Sequence, residues 1–118
     1  MSRPIRRGHI YRIVLEDSRG HELRGPHYAL VVQADMYNTL STVLVVPLSS
    51  SIRRPAPFHV PLKILGKRTY ALVDQLRAVD VERRLKEYVA TIAGTGGMDE
   101  IDNELKLILG LHEDYRWL

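Results

Sequence analysis

The sequence predicts a mainly β domain: a small barrel-like sheet closed by one C-terminal α-helix. Short apolar runs rich in Val, Ile and Tyr recur between Gly, Pro and Ser punctuation from Gly8 to Ile92, the pattern of short strands. After Gly94-Thr95-Gly96-Gly97 the apolar spacing becomes helical. The chain has 118 residues, 45% hydrophobic and 26% charged, which is the length and balance of one domain over residues 1–118.

The elements follow in order. Residues 9–15 alternate and read as a strand, with Ile10 and Val14 on one face. A long polar loop, residues 16–27, carries Gly20, Gly25 and Pro26, and long loops in compact domains are often functional. Residues 28–33 are nearly continuously apolar, as in a strand buried on both faces. Residues 35–39 form a turn or short helical link. Residues 42–48 form a second buried strand, which closes at Pro47 because proline cannot donate a central ladder bond. Residues 49–57 are a second polar loop. Residues 58–62 are a short strand that Pro61 assigns to an edge, and Gly66-Lys67-Arg68 is a turn. Two strands, 69–73 and 75–79, flank Asp74; a charged link, 80–86, leads to the last strand, 88–92. The helix has Met98, Ile101, Leu105 and Ile108 as its core stripe, with Asp99, Glu100 and Asp102 suiting its positive N-terminus. Gly110 ends it, and residues 112–118 are a tail.

Composition removes several classes of function. Without cysteine there are no disulfides or thiolate metal sites. No apolar run is long enough to span a membrane, and the basic start lacks the apolar stretch of a secretory signal. A cytoplasmic location with no membrane partner is therefore expected. The patterns GxxxxGK[ST] and GxSxG are absent, which argues against a phosphate-binding loop and a nucleophile elbow. None of His9, His21, His27, His59 and His112 is paired at zinc-binding spacing, so no metal or other cofactor is expected. The net charge of +3 and pI of about 9.4 suit a polyanionic partner. Basic residues crowd the strand region, and acidic ones crowd the helix and tail. A chain this short buries only about two-thirds of its unfolded surface, so self-association is expected.

What remains suits phosphodiester chemistry. Cutting RNA through its own 2′-hydroxyl needs a base, an acid and donors for the charge that develops on phosphate. Glu22, Arg24 and His27 sit in the first loop, and Ser49, Ser50, Arg53 and Arg54 in the second. The strands between these loops are consecutive, and in an antiparallel pair the start of one lies beside the end of the other. The two loops thus form a candidate RNA-binding and RNA-cutting site. Gln75 and Arg77 are candidates for reading a base or for contact between subunits. Tyr37 and Phe58 could stack on bases or fill the core.

At these residues the chain resembles the MazF/PemK endoribonuclease toxins of bacterial type II toxin–antitoxin systems. That family opens on a pattern like RGxIYxVxL, here Arg7-Gly8-His9-Ile10-Tyr11-Arg12-Ile13-Val14-Leu15. Its GSExxGxRPxLVV stretch corresponds to Gly20-His21-Glu22-Leu23-Arg24-Gly25-Pro26-His27-Tyr28-Ala29-Leu30-Val31-Val32. Its PLTS corresponds to Pro47-Leu48-Ser49-Ser50, and its DQxRxVD to Asp74-Gln75-Leu76-Arg77-Ala78-Val79-Asp80. A leucine-rich LxLxLGL closes the helix, here Leu105-Lys106-Leu107-Ile108-Leu109-Gly110-Leu111, so the match spans roughly residues 6–111.

The resemblance implies an SH3-like small barrel of the CcdB/PemK/MazF type. It implies a metal-independent, sequence-specific endoribonuclease toxin that cuts single-stranded RNA to 2′,3′-cyclic phosphate and 5′-hydroxyl ends, with mRNA, tRNA and rRNA all open as targets. It also implies a homodimer and a MazE-like antitoxin whose acidic tail fills the RNA groove. On this reading His27, Ser49 and Arg24 are catalytic, and Glu22, Ser50, Arg53, Arg54, Gln75 and Arg77 contact RNA. Two departures from the pattern matter. Ser49 replaces a threonine and keeps the hydroxyl donor. His27-Tyr28 replaces the family's Arg-Pro pair, which exchanges a permanent cation for a group that titrates near neutrality and leaves Arg24 to supply positive charge. The second departure leaves open a CcdB-like gyrase poison of the same fold and a catalytically weakened RNA-binding homologue.

Overall fold

The computed structural model describes residues 4–15 and 27–111. Among these residues seven strands and two α-helices run in the order β1 (His9–Ile13), β2 (His27–Val31), β3 (Thr42–Ser49), β4 (His59–Ile64), β5 (Lys67–Leu72), β6 (Arg77–Asp80), α1 (Val81–Arg84), β7 (Leu85–Thr91) and α2 (Gly96–Ile108). The strands form one antiparallel sheet in the order β4-β5-β3-β2-β1-β7, with β6 added on β3. β4, with Pro61, lies on the sheet edge.

β3 is the hub. Thr42–Val45 pairs with β6, and Leu48–Ser49 pairs with β5. A 3₁₀ turn at Val73–Gln75 steps the chain from β5 to β6. Gln75 therefore sits in that turn, not on a strand as its apolar neighbours imply. β3 does not close at Pro47 but runs on to Ser49. Residues 46 and 47 fall between the two runs paired on that side, where a missing N–H breaks no ladder bond.

The sheet buries both faces, which explains the continuous apolar run of β2. Leu30 and Val32 join Ile10, Leu48, Val60, Ala71 and the α2 residues Met98, Ile101 and Leu105. Ala29 and Val31 alternate to the other cluster, with Tyr11, Ile13, Val43, Val45 and Val79. β1 alternates likewise, with Ile10 in the first cluster and Tyr11 and Ile13 in the second. Its register against β2 is unbroken, and the two shifts against β7 place the extra residues on β7; Val14 lies past the end of β1 and is 38% exposed.

Two motifs prove architectural. The Arg7 guanidinium pairs with Asp102 on α2, and its Nε donates to the Val32 carbonyl at 2.7 Å. Gly8 adopts φ +94°, and a Cβ there would lie 2.8 Å from Ala93 Cβ. Residues 80–86 are more than a charged link. Asp80 accepts the Arg83 N–H at 2.8 Å and caps the single turn of α1, which feeds directly into β7.

α2 starts two residues before Met98. Thr95 is its N-cap, with its Oγ accepting the Met98 N–H at 3.3 Å. At the other end Gly110 takes φ +70°, and the Leu111 N–H donates to the Lys106 carbonyl at 2.7 Å. Ile108 departs from the expected core stripe and is 43% exposed. α2 docks on β4 and the 73–75 turn through Met98, Ile101 and Leu105, and its last turn passes beyond them. Among the described residues no helix is long and apolar enough to cross a membrane.

Candidate active site

The start of β2 and the end of β3 lie side by side. Their register pairs Tyr28 with Leu48, so His27 and Ser49 are opposed one step further out. Ser49 is nearly buried, at 6% exposure. Its Oγ accepts the Ser51 N–H at 3.3 Å and lies 3.1 Å from Ser51 Oγ. When the Ser51 hydroxyl donates in that pair, the Ser49 proton is left for a bound oxyanion.

Ser51 is therefore a site residue that the sequence reading missed. Its signal was in the serine run itself. A period of two puts positions 49 and 51 on one side and Ser50 on the other. Ser50 is exposed and lines the first of the two cavities described next.

Two hollows flank the His27–Ser49 pair. The first, about 530 Å³, reaches to the β4–β5 hairpin and is bounded there by Ile64, Leu65, Lys67 and Thr69. The second, about 730 Å³, reaches the other way, to Leu15, Gln75 and Arg77. His27, Tyr28, Leu48, Ser49 and Ser51 line both. The pair thus forms a ridge between two cavities of a size that accepts small organic groups.

The other expected residues divide three ways. Gln75 and Arg77 are brought to the second cavity. Arg53 and Arg54 are exposed on the following loop and line neither cavity. Glu22 and Arg24 lie outside the described residues. His59 fastens the loop that carries the arginines. Its Nδ1 accepts the Ala56 N–H at 2.9 Å, its Nε2 lies 3.8 Å from Asp74, and its ring meets Phe58 edge-on at 4.9 Å. That clasp joins the end of the serine-arginine loop to the turn that presents Gln75.

Compared with known proteins, residues 6–109 match the family described as PemK-like, MazF-like toxin of type II toxin–antitoxin system. The chain is 32% identical to endoribonuclease MazF9 of Mycobacterium tuberculosis, over 91% of this chain and 98% of that one. It is also 32% identical to endoribonuclease PemK of Escherichia coli, over 89% of this chain and 82% of that one. Its fold is similar to that of an endoribonuclease from a mycobacterial species solved in complex with its cognate antitoxin. The TM-score is 0.75, with 24% identity over 92% of this chain and 97% of that one.

Proposed function

The chain belongs to the PemK-like, MazF-like toxins of type II toxin–antitoxin systems, and we propose that it is a metal-independent, sequence-specific endoribonuclease that cuts single-stranded RNA. The observation that carries this reading is the opposition of His27 and Ser49 on a ridge between two cavities.

In the proposed reaction the 2′-hydroxyl of the nucleotide before the cut attacks its own 3′-phosphate. A bond forms from O2′ to phosphorus and the bond from phosphorus to O5′ breaks. The 2′-hydroxyl proton passes to a base, and O5′ takes a proton from an acid. The products are a 2′,3′-cyclic phosphate and a 5′-hydroxyl. His27 is one of the two proton carriers. Ser49 donates its hydroxyl to a non-bridging oxygen as negative charge builds there, and Ser51 holds the Ser49 oxygen in place. Arg24, which precedes β2 in the sequence, supplies positive charge to the phosphate, with Glu22 orienting it.

RNA contacts extend through Ser50, Gln75 and Arg77, and through Arg53 and Arg54 on the loop after β3. The protein works in the cytoplasm as a homodimer, restrained by a MazE-like antitoxin. The family's description supports that partner, as does the antitoxin complex of the mycobacterial endoribonuclease. Purified protein incubated with mixed single-stranded RNA in EDTA tests the activity. New ends that accept phosphate directly from polynucleotide kinase, as 5′-hydroxyls do, are expected. Binding without cleavage at any pH would leave a weakened RNA-binding homologue, and inhibition of DNA supercoiling without RNA loss would leave a gyrase poison.

A further inference from the structure

The β4–β5 hairpin closes with a two-residue turn, Leu65-Gly66, between the paired residues Ile64 and Lys67. Both turn residues have positive φ, +51° at Leu65 and +80° at Gly66. Such turns favour Asn or Gly in the first position, and a leucine is strained there. Leu65 is also 80% exposed, so its side chain buries little in return. A residue that is unfavourable for the backbone and nearly idle in packing points to a ligand.

The surroundings name the ligand's chemistry. Leu65 lines the first cavity with Ile64 and Val89 as apolar walls, Thr69 as a hydroxyl and Lys67 as a cation. His27 and Ser49 stand at the same cavity. An apolar slot with one hydroxyl and one cation, opening from a phosphate-cleaving ridge, fits an unpaired nucleobase and its phosphate. Gln75 and Arg77 line the other cavity, across the ridge.

We infer that the Leu65–Lys67 hairpin tip is a nucleobase subsite, holding a base of the substrate strand on the side of Ser49 opposite to Gln75 and Arg77. The inference rests on the RNA-cleaving reading above.

The experiment uses full-length protein, a randomised single-stranded RNA pool and four variants: Leu65→Asn, Lys67→Ala, Gln75→Ala and Arg77→Ala. Bound and cleaved sequences are both read. Leu65→Asn and Lys67→Ala should weaken base preference about tenfold at a position on one side of the cut, and Gln75→Ala and Arg77→Ala on the other side. Leu65→Asn should also raise the melting midpoint by about 3 °C, because the strain is relieved. A more stable Leu65→Asn protein with weaker preference cannot be a folding defect. Cleavage with unchanged preference in Leu65→Asn and Lys67→Ala overturns the subsite. Leu65-dependent binding preference without cleavage by the parent protein supports the subsite and overturns the proposed activity.

Discussion

Ser49 combines the end of a central strand, near-complete burial and a hydroxyl whose oxygen is already engaged by Ser51. Removing that donor by Ser49→Ala should lower kcat about a hundredfold, with the fold intact. Ser51→Ala should cost less, about fivefold in kcat, because it only loosens the Ser49 oxygen. His27→Ala should lower the rate about a hundredfold or more. At this scale the sequence was informative where chemistry forces a residue type. His27, Ser49, Gln75 and Arg77, singled out for their chemistry, all line the cavities. Leu65 was not legible, because its significance lies in a backbone angle that no pattern of side chains reveals.

The elements show what periodicity can and cannot carry. It placed α2 and its buried face, since Met98, Ile101 and Leu105 all reach the core. It could not show where the helix outruns its sheet, so Ile108 was expected inside and lies outside. β1 ends at Ile13, so Val14, expected on the face of Ile10, falls outside the strand. Energetics at this scale are testable by equilibrium unfolding. Ile101→Ala, at a site with no exposure, should cost about 3 kcal/mol, and loss of the Thr95 cap in Thr95→Ala about 1 kcal/mol. Equal costs for the two would contradict the docking of α2.

Over the whole molecule, three arginines that line neither cavity face carboxylates. Arg7 is engaged by Asp102 and Arg12 by Glu87, and Arg6 lies 3.7 Å from Asp35. Arg53 and Arg54 are exposed on their loop, in no ion pair among the described residues, and can meet the phosphates of the proposed substrate. Neutralising Arg53 or Arg54 should reduce the dependence of log affinity on log salt by about 0.7 each, with the cut position unchanged. A hydrogen bond from Arg12 at 2.7 Å, aided by its charge, holds the Glu87 carboxyl below its ordinary range. The folded state therefore resists protonating Glu87. The pair stabilises the protein at neutral pH, and that contribution fades as pH falls below 4.5, the ordinary value, and through the depressed folded range. Acid unfolding of Glu87→Gln should lack this component.

Single-turnover cleavage of one mapped RNA oligonucleotide in EDTA, by the parent protein, His27→Ala and Ser49→Ala, bears most directly on the His27–Ser49 ridge. The expected result is a cyclic-phosphate product from the parent and a rate lower by about a hundredfold in each variant, with RNA affinity nearly unchanged. Equal rates in all three proteins would contradict it, and so would cleavage that stops in EDTA.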